Sequence, residues 1–146
     1  MAGNLIREVR RATLTHLAAN EGLTALVPAT SIYPSTVPAN PAWPFIRFDA
    51  PNSLPLDGAC YAGAEVTFLL HCFAKPRYSG SAMIETAEDY AARILSAMHL
   101  AVHNHRVIVS GTSAQLRAVS SRLLIDGAEA DAYHGILNMR ARVLAA

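Results

Sequence analysis

Ala64-Glu65-Val66-Thr67-Phe68-Leu69-Leu70-His71-Cys72-Phe73-Ala74 alternates as an extended strand does. Val66, Phe68, Leu70 and Cys72 fall on one face and Glu65, Thr67, Leu69, His71 and Phe73 on the other, because successive side chains of a strand point to opposite sides of its sheet. The first set is a core face. The second carries Leu69 and Phe73 and is too apolar for open solvent, so a helix or a neighbouring subunit is expected to cover part of it.

Toward the carboxyl end the period changes. Over residues 81–103, Ile84, Ala87, Ala91, Ile94, Leu95, Met98 and Val102 share one helical face, with Ser81 placed to cap it. Glu85, Glu88 and Asp89 near the amino end and His99 and His103 near the carboxyl end suit the helix dipole. Residues 107–109 predict a short strand before Gly111. Residues 114–125 alternate, but the apolar set changes parity between Leu116 and Ala118 and then Leu123 and Ile125, which predicts a bulge near Ser120-Ser121. Asp126-Gly127 opens a turn. Residues 133–144 return as a strand with Leu137, Met139, Ala141 and Val143 inward and Ile136, Asn138, Arg140 and Arg142 outward.

Toward the amino end, Leu5, Ile6, Val9, Thr13 and Leu17 place a helix over residues 4–19, with Arg7, Arg10 and Arg11 on its other side. Asn20 stops it, and Leu23, Leu26 and Val27 give a further short turn that Pro28 ends. A proline-rich arm at about 28–44 holds five of the eight prolines and is either an ordered crossing or a mobile arm. Residues 45–49, bounded by Pro44 and Pro51, read as a short strand near a sheet edge. The connection at about 50–63 is a long hairpin loop whose Leu54 and Leu56 either fold back over the core or project for assembly. The sum is a single domain over residues 1–146, of class α+β: a mostly antiparallel β-sheet packed against two α-helices in the order α-β-β-α-β-β-β.

A chain of 146 residues is long enough to bury roughly 68–70% of its unfolded surface, so it folds without staples. Cys60 and Cys72 lack CxxC spacing, and no basic-then-apolar leader opens the chain, so both are expected to be reduced thiols in a soluble protein made in the host cytoplasm. No apolar run approaches the ~20 residues of a membrane helix. The net charge of +1 gives no global drive toward nucleic acid or anionic membrane. Eleven of the twelve basic residues are Arg and one is Lys75; this bias suits protein interfaces, where a planar guanidinium pairs bidentately, and genome base composition produces it equally well.

Motifs for chemistry are sparse. His99, His103 and His105 are the one dense group of ligand-type side chains, but the stretch His99-Leu100-Ala101-Val102-His103 lacks the glutamate of HExxH, and the simpler reading is polar residues ending a helix. There is no GxSxG elbow, no Walker A and no GxGxxG spacing. Arg140 and Arg142, with Arg117 or Arg122 on a neighbouring strand, form a basic stripe. The simpler reading of that stripe is a solvated face or intersubunit ion pairs with Glu129 and Asp131. Trp43 beside Pro44 is more often a packed anchor than a base-stacking platform.

Ile32-Tyr33-Pro34, the strand Phe45-Ile46-Arg47-Phe48, Leu56-Asp57-Gly58, His71-Cys72-Phe73-Ala74 and the final alternating strand, in that order, resemble the landmarks of the tail-completion proteins, or tail terminators, of long-tailed bacteriophages and gene transfer agents. The resemblance spans nearly the whole chain. It implies a non-catalytic subunit without cofactor or metal that assembles with itself as a six-fold ring on the end of the tail tube protein, at the head–tail junction of the virion. Such a ring stops tail polymerisation and docks the head connector or stopper, with DNA passing through its lumen without sequence-specific binding. Trp43, Leu54, Leu56, Asp57, Arg140 and Arg142 are the candidate interface residues. The alternatives are a stopper or adaptor ring of the neck, a small metal-binding or ligand-binding α+β enzyme built on His99, His103 and His105, and a regulatory interaction domain.

Overall fold

The computed structural model describes residues 4–145, and its frame is a six-stranded sheet with helices on one face only. In chain order the elements are α1 (Ile6–Ala18), α2 (Glu21–Thr24), a single 3-10 turn (Ala29–Ser31), β1 (Ile32–Tyr33), β2 (Phe45–Pro55) and β3 (Ala62–Ala74). Then follow β4 (Arg77–Ser79), β5 (Ala82–Glu85), α3 (Ala87–Val102), β6 (Arg106–Val109), β7 (Thr112–Ile125) and β8 (Tyr133–Ala145). The strand order is β1-β2-β3-β8-β7-β6. Every pairing is antiparallel except that of the two-residue β1 with β2. The class is the α+β expected from the sequence, with short extra elements added to its order.

β3 lies at the centre because its inner face is apolar along its whole length. Val66, Phe68, Leu70 and Cys72 are buried there, next to Leu137, Met139, Ala141 and Val143 of β8 and Ala114 and Leu116 of β7. The apolar face of α3, Ala91, Ile94, Met98 and Val102, closes over β3, β8 and β7, while α1 packs Val9 and Leu17 against α3 and the sheet. Gly135 makes the close approach of α3 possible: a Cβ there would lie 2.6 Å from Cys72 Sγ and 3.5 Å from Leu95. A cross-link at the helix ends fixes the pair of helices, since His16 Nε2–H of α1 donates to the Ala101 carbonyl of α3 at 2.8 Å.

Three expectations are corrected by this geometry. The helix expected from Ser81 begins only at Ala87, because Thr86 caps it: its Oγ1 accepts from the Asp89 N–H at 3.1 Å. The residues before it form the β4–β5 hairpin through a tight turn at Gly80-Ser81, so Ile84 is exposed in β5 rather than packed on the helix, and Glu85 is a strand residue. Thr86→Ala removes the cap and is expected to lower stability by about 1 kcal/mol, read as a shifted urea midpoint, with Thr86→Ser close to wild type.

β2 is the second correction, for it does not stop at Pro51 but runs to Pro55, so the first part of the expected loop at about 50–63 is strand. The register slips between Asp49 and Asn52, with Ala50 at φ 48°. A bulge is where a strand tolerates a proline that has no N–H to give its neighbour, which is why the proline misreads as a stop. Third, the bulge of β7 falls at Val119, between Ala118 and Ser120, one residue before the expected site. The parity change itself is as read: Leu123 and Ile125 lie on the same side of the sheet as Leu116. At the β6–β7 hairpin, Val109 pairs with Thr112 around Ser110 and Gly111, whose φ values of 50° and 76° are those of a type I′ turn. The proline-rich arm crosses from α2 to β2 by way of the 3-10 turn and β1, and residues 34–44 have no regular structure.

Candidate assembly surfaces

Among the described residues no helix covers the second face of the sheet. The contacts of α1 and α3 are on the Val66 side, so the outer face is built from what the register sets side by side. Reading across β6, β7, β8, β3 and β2, one row is Arg106, Gln115, Arg142, Glu65 and Leu54, and the next, without β6, is Arg117, Arg140, Thr67 and Asn52. Further along come Ser120, Asn138, Leu69 and Asp49, then Arg122, Ile136, His71 and Arg47, and last Leu124, His134, Phe73 and Phe45. This face therefore holds six of the twelve Arg and Lys residues and two of the eleven Asp and Glu residues of the chain.

Glu65 sits among the arginines and joins two of them, with Oε2 3.0 Å from Arg142 Nη2 and 3.8 Å from Arg140 Nε. Thus the two arginines singled out from the sequence share one carboxylate. Arg117 stands directly opposite Arg140 on the neighbouring strand, an unfavourable like-charge pairing. Among the described residues no carboxylate lies within 4 Å of the guanidinium of Arg106, Arg117 or Arg122.

At the other end of the same face lies a cluster the sequence did not disclose. His71 of β3 is 5% exposed, and its Nε2 lies 3.2 Å from Asp49 Oδ2, off line for a good hydrogen bond. Its Nδ1 is hydrogen-bonded to Nε2 of His134 on β8. We assign the tautomer that keeps His71 Nε2–H toward the carboxylate, leaving Nδ1 to accept from His134 Nε2–H. Burial, aided by His134 and Arg47 and opposed by Asp49, pushes the His71 pKa from 6.5 down to about 4. Burial also lowers that of His134, with Arg47 and Arg122 acting in the same direction and Asp126 against it. Both rings are thus neutral at pH 7. Sixty-three residues separate them, and only the β3–β8 register brings them together; the sequence signal was a histidine on an otherwise apolar stretch of strand.

Aromatic rings continue the cluster to the sheet edge. Phe73 stacks on His134 at 4.2 Å and on Phe45 at 4.7 Å, and Trp43 meets Phe45 edge-on at 5.0 Å with the Lys75 ammonium 4.5 Å from its ring centre. Trp43 is half-buried as a packed anchor at the end of the proline-rich arm. At this end of the face Phe73 is therefore covered by side chains of the strands and the arm rather than by a helix.

The other candidates lie at the tip of the β2–β3 hairpin. Leu54 is exposed, Leu56 is half-buried with its N–H donating to the Gly63 carbonyl at 2.9 Å, and Asp57 is exposed just before a tight turn closed by Gly58 N–H to the Tyr61 carbonyl. Arg140 and Arg142 share Glu65 with the strand that leads to this tip, but Trp43 lies at the far end of β2, so the six residues do not form one patch. A further surface was missed: the β4–β5 hairpin exposes Tyr78, Met83 and Ile84. It is tied to α3 by Arg93, which grips Glu85 with Nη2 at 2.8 Å and Nε at 2.9 Å, while Arg77 Nη1 adds a bond at 3.1 Å. The Arg93 hydrogen bonds hold the Glu85 carboxyl below its usual range.

The histidines near the end of α3 do not converge. His99 and His103 stack at 4.7 Å, but His103 Nδ1 accepts from the Ala118 N–H, and the His105 ring stands 5.3 Å from that of His16. Cys72 lies buried under α3, where burial pushes its thiol up to about 12, and Cys60 is exposed on the hairpin tip. Among the described residues no group of three His, Cys, Asp or Glu is placed to hold a metal ion, and no helix is long and apolar enough to cross a membrane.

A family model described as tail completion protein gp17 matches residues 11–144. No curated protein sequence matches the chain. Among solved structures, a chain from the virion of a native gene transfer agent particle superposes with a TM-score of 0.77 at 19% identity, covering 99% of this chain and 100% of the other. A second solved chain matches at a TM-score of 0.54 and 14% identity over 99% and 98% of the two chains. At these identities the likeness is one of fold.

Proposed function

Because this chain belongs to the tail completion protein gp17 family, we propose that it is a structural, non-catalytic protein of a phage-type tail, and more specifically that it caps the completed tail tube as a ring. In that role it ends tail polymerisation, presents the face on which the head connector or stopper docks, and leaves a lumen for DNA. The observation that carries the reading is the family match across residues 11–144. The fold shared end to end with a chain of a gene transfer agent virion supports it.

The physical surface is compatible. A ring is a closed heterologous assembly, so each subunit must present two different complementary patches. The uncovered sheet face, the β2–β3 tip with Leu54, Leu56 and Asp57, and the arm ending at Trp43 are the contact elements of this reading, and Arg140 and Arg142 belong to the lumen or to a subunit seam. The experiment is electron microscopy of particles made when the gene is deleted. Filled heads beside separate tails of uncontrolled length are expected. Normal-length tails beside heads that have lost their DNA would instead make this a stopper, and normal infectious particles would end the structural reading.

A further inference from the structure

The charge on this chain is segregated. The outer sheet face gathers Arg106, Arg117, Arg140 and Arg142 at the end of the sheet where β7 begins and β8 finishes. The opposite end of the same two strands is joined by Asp126-Gly127-Ala128-Glu129-Ala130-Asp131-Ala132, a turn with three carboxylates and no basic residue. Arg117 precedes Asp126 by nine residues, almost all in β7, so the two lie roughly 30 Å apart at ~3.3 Å per strand residue. That is about three Debye lengths at 0.1 M salt, where the length is about 10 Å. The acidic turn therefore cannot neutralise these four arginines of its own chain; Glu129 Oε2 meets Lys75 Nζ at 3.5 Å, while among the described residues Asp126 and Asp131 have no basic group within 4 Å and remain the natural complement to them.

We propose that the arginine-bearing end of the outer sheet face receives the acidic 126–131 turn of a second copy of this chain, in a head-to-tail contact. The inference rests on the ring reading above and names the surfaces that would form its seam. Three observations carry it. The register places Arg117 opposite Arg140, and the single local carboxylate, Glu65, is already shared by Arg140 and Arg142, so the face lacks anions. Arg106, Gln115, Arg142 and Leu144 line a depression of about 300 Å³ that can accept a carboxylate side chain. Both ends also expose apolar side chains that a contact can cover: Ile125 is 72% exposed beside the turn, and Ile108 is 67% exposed beside Arg106.

A second copy fits this face better than a nucleic acid. Glu65 stands in the middle of the arginines, where it opposes a phosphate backbone but leaves room for one carboxylate at each flank. The geometry is also heterologous, since donor turn and receiving face are different surfaces of one subunit and can both be used at once.

The test is sedimentation of the full chain over a range of concentration and salt. Wild type is expected to self-associate, more weakly as salt rises. Arg117→Glu with Arg140→Glu sets acid against acid, and Glu129→Arg with Asp131→Arg sets base against base. Each double variant is expected to weaken association more than about tenfold. An equimolar mixture of the two variants restores complementary charge at every contact, so recovered association of the mixture confirms the pairing and shows that both variants are folded. Association by each variant equal to wild type overturns the contact. So does loss of binding to a short DNA duplex by the Arg variant with its self-association unchanged, and so does a wild-type chain that is monomeric throughout. The ring reading is judged separately, on the particles of the gene deletion.

Discussion

Phe48→Ala is expected to cost about 3–5 kcal/mol of unfolding free energy. Phe48 is fully buried on the inner face of β2 and stacks on Phe68 of β3 with ring centres 4.6 Å apart. Removing the ring leaves a cavity on the inner face, where β2 packs beside β3 and against α1, and the surrounding core relaxes only partly to fill it. Loss of the ring–ring contact adds to the area term, by about 0.5–1.5 kcal/mol. Domains of this kind have about 5–15 kcal/mol to lose in total, so the variant is expected to unfold at much lower urea, with its slope unchanged. Leu100→Ala, at an exposed position of α3, is the control and is expected to stay within about 0.5 kcal/mol of wild type. A loss under about 1 kcal/mol for Phe48→Ala would mean that the Val66 face is not the core.

This core was legible because the period-2 pattern of β3 and β8 and the 3.6-residue pattern of α1 and α3 each have one unambiguous apolar face. Val66, Phe68, Leu70, Leu137, Met139 and Ala141 were assigned inward from the chain alone and are buried. Illegible features are those in which tertiary pairing overrides a local signal. Pro51 looks like a strand end until a bulge takes it up, and Ser81 looks like a helix cap until Gly80-Ser81 turns a hairpin and Thr86 caps the helix five residues later. Ile136 shows the same limit in burial. It was placed outward and does lie on the outer face, yet it is buried at 5% exposure, between Arg122 and His71 on the flanking strands.

The outer face was less legible because a surface of this kind is a property of register. Arg140 and Arg142 were visible as a pair at i and i+2, but their shared Glu65 and the opposed Arg117 depend on which residues of β3 and β7 lie alongside. Once the register is known, the excess of arginine over lysine acquires a physical use. A guanidinium can hold the Glu65 carboxylate from one side and offer further N–H donors to a partner, where a lysine ammonium presents a single point of charge.

The histidine cluster gives the other large expected effect, a loss of stability on acidification that begins well above the carboxylate range. His71 has a folded-state pKa of about 4 against 6.5 when unfolded, first because it is buried and then because His134 and Arg47 face it. Between those values the unfolded chain binds a proton that the folded chain refuses, so stability is fully present above about pH 6.5 and falls as the pH is lowered toward 4. The lowered pKa of His134 acts with the same sign. For His71 alone the full span is worth about 3 kcal/mol, at ~1.4 kcal/mol per unit. Glu85, whose carboxyl is held low by Arg93, adds its own loss only below its ordinary value of 4.5, so the histidine effect is read between pH 6.5 and 4.5. Urea unfolding across that window is expected to show a steep fall for wild type. His71→Asn keeps a polar atom near His134 but cannot titrate, and its stability should be lower at pH 7 and much flatter with pH. An equally steep fall in His71→Asn would assign the acid sensitivity to other groups and leave the buried pair as packing alone.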